Sequence, residues 1–154
     1  MEIVKQTVVR RFLISIFILL VIQNCIAQQQ KTSGDSMMCS IIMGDNFSND
    51  TITVSLNGVS IFEDVQLTTD SNLGLGITSV WAEIWERGNS FYLVTHDKER
   101  KINIDPNKIE LSFVFKRQKT NYGLHISKGK YLVVDRNGYD KLNFMQISNK
   151  PVFD

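Results

Sequence analysis

The sequence predicts an all-β protein, specifically an antiparallel two-sheet β-sandwich of immunoglobulin-like or jelly-roll-like type. Three observations support this prediction. Several short segments alternate apolar with polar residues, as strands with one buried face do. Turn-forming residues interrupt these segments at intervals of roughly 8 to 12 positions, which is typical of sandwiches and barrels. No segment has the apolar spacing of a convincing helix, and this argues against α/β architectures.

Residues 51–67 form the clearest predicted hairpin. Asn57-Gly58 separates two alternating runs, and these residues tolerate the positive φ angles that both central positions of a type I′ turn require. A two-residue turn predicts three facing pairs: Leu56 with Val59, Ser55 with Ser60, and Val54 with Ile61. A bulge is expected near residues 62–64, because the apolar residues beyond that point do not keep a strict period of two.

The remaining strands are predicted in order along the chain. They cover residues 37–43, 77–86, 91–95, 101–104, 109–115, 122–126, 131–136 and 139–147. Residues 77–86 would also suit a helix, but the turn at 87–90 leads directly into strand-forming residues, which favours a strand. Residues 68–76 and the wholly polar 117–121 are predicted to be loops.

A second Asn-Gly turn is predicted near the end of the chain. Counting back from Asn137-Gly138 places Val133 opposite Leu142 and Tyr131 opposite Phe144. Both pairs are apolar, which supports this register.

The first 27 residues have the pattern of a cleaved secretory signal peptide. Lys5, Arg10 and Arg11 precede an apolar run over residues 12–22, and cleavage is predicted after Ala27. The apolar run is shorter than the roughly 20 residues that a transmembrane helix needs. Residues 28–36 are predicted to be a flexible leader, and residues 37–154 a single domain. The export signal places the domain in the periplasm or outside the cell, and lipidation of Cys25 is the alternative.

The glutamines that follow Ala27, at positions 28–30, resemble the export signals of Bacteroidota, in which mature chains often begin with glutamine. The resemblance is to small exported β-sandwich proteins of that group. It implies export, and through the polysaccharide-utilisation systems of these bacteria it suggests a polysaccharide-related role.

Charge and cysteine content narrow the classes of partner. The whole chain carries a formal charge of +1, and the basic start leaves about −1 for the rest. A nearly neutral domain is not expected to bind nucleic acid or an anionic membrane surface through bulk electrostatics.

After cleavage only Cys39 remains, so no intramolecular disulfide can form. The apolar neighbours of Cys39 predict that its thiol is buried.

Trp81, Glu83 and Trp85 are the candidate ligand-binding residues. On a strand they share one face, with the two indoles about 13 Å apart at roughly 3.3 Å per residue. Two flat rings with a carboxylate between them could stack on sugar rings along a polysaccharide. The competing interpretation is that the indoles fill the core, because aromatic side chains contribute large buried areas.

No catalytic, metal or cofactor site is predicted. His96 and His125 are the two histidines, and no nucleophile or metal-binding motif accompanies them. Asp45, Asn49 and Asp50 supply oxygen ligands, but their spacing matches no EF-hand loop, so an ordinary turn is expected.

Scattered cations in the C-terminal half would suit an acidic polysaccharide only if several shared one sheet edge. They are Lys98, Arg100, Lys101, Lys108, Lys116, Arg117, Lys119, Lys128, Lys130 and Lys141.

The export pattern, the sandwich pattern and the tryptophan pair together predict a non-catalytic exported accessory protein that binds carbohydrate. The alternative is a structural or protein-interaction module of a surface or secretion assembly that joins its partners through a sheet edge.

Overall fold

The computed structural model describes residues 34–69 and 78–152, and these residues form ten strands and one 3₁₀ turn. The strands are β1 (Ser36–Met43), β2 (Asp50–Leu56), β3 (Val59–Leu67), β4 (Trp81–Arg87), β5 (Ser90–Thr95), β6 (Glu99–Ile102), β7 (Ile109–Phe115), β8 (Gln118–Leu124), β9 (Tyr131–Arg136) and β10 (Leu142–Ile147). The 3₁₀ turn covers Ile126–Lys128, between β8 and β9. The predicted signal peptide, most of the leader and residues 70–77 lie outside the described residues.

The strands form two sheets, and the prediction of a β-sandwich is confirmed. One sheet has six strands in the order β10-β9-β1-β4-β5-β6, and the other has four in the order β3-β2-β7-β8. Every pair is antiparallel except β1 with β9, which run parallel. This parallel pair was not predicted, because the residues between β1 and β9 span most of the domain and no local signal marks their contact.

The core lies between the two sheets and contains the inward-facing residues of both. Ile41 and Ile84 of the six-stranded sheet are fully buried, as are Leu111 and Phe113 of the four-stranded sheet. Strand β7 alternates buried and more exposed residues along its whole length, as its sequence predicted. Cys39 belongs to this core, and burial raises the pKa of its thiol to about 12. The prediction of a buried thiol is therefore confirmed.

The first hairpin follows the predicted register next to its turn and departs from it farther away. Leu56 faces Val59 and Ser55 faces Ser60, as predicted. Val54 faces Phe62 rather than Ile61, because a register shift follows Ser60. A second shift lies near the predicted bulge, where Asp64 has a φ of 49° and exchanges hydrogen bonds with the Thr53 hydroxyl.

The predicted register of the β9–β10 pair is wrong. Leu142 faces Arg136 and Phe144 faces Val134, three residues away from the predicted pairing. The connection is longer than a two-residue turn because the Asn137 side chain closes it, accepting hydrogen bonds from the amides of Tyr139 and Lys141. Consequently Tyr131 and Val133 face the outer surface of the sheet, opposite Ile147 and Met145.

The polar segment predicted to be a loop is part of a strand. Residues 118–121 begin β8, an edge strand that pairs with β7 from Ile109 to Phe115. Its first four residues are exposed. An edge strand on the surface needs no apolar side chains there, because its backbone hydrogen bonds to β7 stabilise it.

Candidate functional site

Strand β4 lies in the middle of the six-stranded sheet and separates its side chains into two layers. Ala82 and Ile84 face the core and are fully buried. Trp81, Glu83 and Trp85 face the other side of the strand and are half-buried. The interpretation of the tryptophans as part of the inter-sheet core is therefore wrong: the pleat that buries Ala82 and Ile84 directs both indoles to the outer face.

A hydrogen bond holds one of the two indoles to the carboxylate between them. The Trp85 Nε1–H donates to Glu83 Oε2 at 2.8 Å. Residues two apart on a strand share a face, so this contact follows from the local geometry of β4. The bond restricts rotation of the Trp85 ring, and a ring that is already oriented loses less conformational entropy when a ligand stacks on it.

Tyr92 adds a third aromatic ring beside Trp85. It lies directly opposite Trp85 in the β4–β5 pair. The Arg87 guanidinium lies 5.1 Å from the centroid of the Tyr92 ring and pairs with Glu99 and Asp35 at 2.6 and 3.0 Å. The sequence analysis overlooked Tyr92, although counting register across the turn at Gly88-Asn89 would have placed it next to Trp85.

A row of apolar side chains crosses the same outer face from Trp81 to the sheet edge. Trp81 faces Ile42 on β1, Ile42 faces Val133 on β9, and Val133 faces Met145 on β10. Val133 is only 2% exposed although it lies on the outer face. Met145, at the edge, is 46% exposed. The outer face thus combines the aromatic group Trp81, Trp85 and Tyr92, which we call the platform, with this apolar row.

The charges near the platform do not favour an anionic ligand. Glu83 lies between the two indoles, and the positive charge of Arg87 is balanced by its two acidic partners. Lys101, which faces Tyr92 across the β5–β6 pair, is the nearest further cation along that row of the sheet. Arg100 also lies on β6, but it faces the buried Leu93 and its guanidinium donates to the Ser60 carbonyl. Lys116, Arg117 and Lys119 lie around the β7–β8 hairpin of the other sheet.

The other candidate residues from the sequence lie in turns and loops or are committed to structural contacts. His96 lies in the β5–β6 turn and His125 after β8, and both are exposed. Asp50 is committed to structural contacts, because its carboxylate pairs with Lys116 and Arg136 and accepts from the Ser48 amide. Within residues 34–69 and 78–152, no three His, Cys, Asp or Glu side chains gather as metal ligands.

Comparison with protein-family models, with curated proteins and with solved structures finds no match to this chain. The described part of the chain also has no apolar helix of membrane-spanning length.

Proposed function

We propose that this protein is an exported, non-catalytic carbohydrate-binding accessory protein that holds polysaccharide on the platform. The observation that carries the proposal is the outward placement of both tryptophans on one strand, with one ring held by Glu83. Export is supported by the signal-like pattern of residues 1–27, which lie outside the described residues. Capturing polysaccharide for other proteins to degrade or import would not require catalytic groups.

The chemistry of the platform suits a sugar. The apolar C–H faces of a sugar ring pack against flat aromatic rings, while its hydroxyls require hydrogen-bonding partners. Glu83 can accept such bonds beside both indoles, and the Tyr92 hydroxyl can donate or accept. The rings are spread along one strand and onto the next, so an extended chain would contact more of them than a single sugar unit would.

A neutral polysaccharide is the preferred ligand class. The carboxylate of Glu83 between the indoles would repel uronic acid or sulfate groups, and Arg87 is already paired with two acidic residues. The acidic polysaccharide considered from the sequence is not favoured, because the cations lie mostly on other edges and loops.

Intrinsic tryptophan fluorescence tests this proposal directly. The chain contains two tryptophans, Trp81 and Trp85, so all tryptophan emission comes from the platform. We expect iodide to quench this emission, and a neutral polysaccharide to shift it and to protect it from iodide. Trp81→Ala should weaken binding about tenfold, which corresponds to ~1.4 kcal/mol for one stacked ring.

Tyr139→Ala is the matched control, because Tyr139 is 86% exposed and lies in the β9–β10 loop, outside the platform. This variant should bind like the unchanged protein. If neutral and acidic polysaccharides all leave the emission and its quenching unchanged, the carbohydrate proposal is wrong.

A second candidate function is that of a protein-interaction module that pairs through a sheet edge. One observation favours it: the edge strand β10 contains no charged residue. The two functions use different surfaces, so Trp81→Ala would leave an interaction through β10 intact.

A further inference from the structure

Three of the four edge strands in the described part of the chain carry features that oppose pairing with another strand. Strand β6 has four residues, of which Glu99, Arg100 and Lys101 are charged. Strand β3 is interrupted by two register shifts, and the carbonyl of Ser60 accepts a hydrogen bond from the Arg100 guanidinium. Strand β8 begins with an exposed, polar stretch that includes Lys119. Charges, bulges and short length are the usual means by which edge strands avoid association.

Strand β10 lacks these features. Its six residues, Leu-Asn-Phe-Met-Gln-Ile, include no charge and no proline, and its pairing with β9 runs without a register shift. The inward-facing side of the strand is well anchored. The Phe144 ring lies 5.0 Å from the rings of both Phe113 and Tyr122, and the Gln146 amide donates to the carbonyls of His125 and Gly129. An anchored, regular and uncharged edge strand is a ready template for a further strand.

We propose that β10 pairs antiparallel with β10 of a second copy of this chain, joining two six-stranded sheets into one continuous sheet. A two-fold axis at Met145 sets this residue opposite Met145 of the second copy, with the inward-facing residues of both strands on the same side. Self-pairing of β10 brings no like charges together, whereas self-pairing of β6 or β8 would place charged side chains along the contact.

The apolar row on the outer face supports a second copy of this chain as the partner of β10. The row runs from Trp81 through Ile42 and Val133 to Met145, and it ends at the β10 edge with the most exposed of these side chains. In the proposed register it continues without interruption into the same row of the second copy, so that each Met145 covers the other. Met145 is exposed in a single copy, and the pairing of two copies buries it.

Only one six-residue strand from each copy takes part, so the buried area falls in the range of small, reversible interfaces. We therefore expect an equilibrium between monomer and dimer at micromolar concentrations rather than a permanent dimer. This pairing does not depend on the carbohydrate proposal.

Sedimentation equilibrium of the purified protein, from low micromolar to near-millimolar concentration, tests this inference. The unchanged protein should shift towards dimer as its concentration rises, and Met145→Lys should abolish that shift by placing two positive charges at the two-fold axis. Val114→Lys is the matched control, because Val114 is 40% exposed on the outer side of β7, in the other sheet. It adds the same charge and should leave the dimer unchanged.

Mixing Met145→Lys with Met145→Glu distinguishes a second copy from any other partner. The two variants should be monomeric alone and should form a heterodimer when mixed, because opposite charges then meet at the axis. A protein that stays monomeric at every concentration, or a Met145→Lys variant that dimerises as well as the unchanged protein, would overturn the proposal. Two variants that fail to associate when mixed would equally contradict pairing at this residue.

Discussion

Two consecutive residues at the tip of the β7–β8 hairpin have a left-handed backbone. Lys116 has a φ of 49° and Arg117 a φ of 65°, close to the values of 47° and 80° at Asn57 and Gly58 in the first hairpin. The two turns therefore have similar backbone shapes but very different residues. Long side chains with a Cβ atom are strained in this region, whereas Asn and Gly accept it readily. Lys116 is held in place by its 2.7 Å ion pair with Asp50.

Arg117→Gly should stabilise the protein. Removing the Cβ relieves a strain of ~1–2 kcal/mol, and the greater flexibility of glycine in the unfolded chain offsets part of this gain. We expect the free energy of unfolding to rise by about 0.5–1 kcal/mol, measured by urea denaturation.

Gly58→Ala is the reciprocal control for Arg117→Gly. An added Cβ at Gly58 meets no atom within 4 Å, so this variant isolates the backbone strain. It should lower the free energy of unfolding by about 1 kcal/mol. If Arg117→Gly were destabilising, the left-handed conformation at residue 117 would not be a source of strain.

The same contrast explains why the sequence predicted one hairpin turn and missed the other. Asn57-Gly58 carries a turn signal in its own residue types. Lys116-Arg117 carries none, because its turn is stabilised by a contact with Asp50, which is distant in the sequence.

The connection between β8 and β9 packs its backbone against the end of β10, although β9 and a loop separate the two segments in the sequence. Gly129 has a φ of 141°, and a Cβ at this position would lie 2.2 Å from the carbonyl carbon of Ile147. The Gly129 carbonyl also accepts a hydrogen bond from the Gln146 side chain at 2.7 Å. Glycine therefore allows the close approach that seats the end of β10 beside β9.

Gly129→Ala should destabilise the fold by more than about 2 kcal/mol, because the backbone of Ile147 would have to move. Gly138→Ala is the control: that position lies in the loop before β10, and its added Cβ meets no atom within 4 Å. This second change should alter stability by less than about 0.5 kcal/mol. Thermal unfolding followed by circular dichroism compares the two variants, and equal melting temperatures would refute the packing argument.

The positions of strands were largely predictable where apolar and polar residues alternate strongly. Strands β2 and β7 occur where the pattern placed them, because a strand with one buried face repeats every two residues. The more ambiguous segment 77–86 does contain a strand, but β4 begins only at Trp81. The second half of β8 overlaps the strand predicted over residues 122–126, but the first half was missed because both of its faces are exposed and no apolar period marks it.

At the scale of the whole molecule, a buried carboxylate connects the two sheets. Asp50, on β2 of the four-stranded sheet, has a side chain that is 1% exposed, and its partner Arg136 lies on β9 of the six-stranded sheet at 3.2 Å. Burial by itself raises the pKa of Asp50, but hydrogen bonds from Lys116 and the Ser48 amide, with the charge of Arg136, outweigh it. The pKa of Asp50 is therefore lowered, and the carboxylate stays ionised at neutral pH.

This lowered pKa makes stability dependent on pH. The stabilisation from ionised Asp50 is complete above its unfolded-state pKa of about 3.9, and it is lost as the pH falls through the folded-state value. Asp50→Asn should lower the free energy of unfolding by ~2 kcal/mol at neutral pH. This loss is smaller than for a fully buried ion pair, because Lys116 and Arg136 are partly exposed. The difference from the unchanged protein should shrink below about pH 4.

Asp140→Asn is the control for Asp50→Asn. Asp140 also pairs with Arg136, but its side chain is 56% exposed, so its loss should cost under about 1 kcal/mol. Urea denaturation from about pH 7 to about pH 2 provides the comparison. A cost of Asp50→Asn that does not change with pH would show that ionisation of Asp50 contributes nothing to stability.

For the candidate site, the sequence alone indicated that Trp81, Glu83 and Trp85 share a face if β4 is a strand. It could not indicate which face of β4 turns towards the core. The structure decides this through the partners of β4, since β1 and β5 align Ile41 and Leu93 with Ala82 and Ile84 against the second sheet.

The local pattern of this chain determined that it is a β-sandwich, where most strands lie and how the first hairpin turns. These properties depend on residues that are close in sequence, since side-chain alternation and turn conformation are set within a few positions. Only the tertiary structure decided that β1 enters the six-stranded sheet parallel to β9, that β9 and β10 pair in their observed register, and that β10 is an edge strand of that sheet. Backbone hydrogen bonds between strands are available to almost any residue, so strand order depends on the joint packing of both sheets around one core.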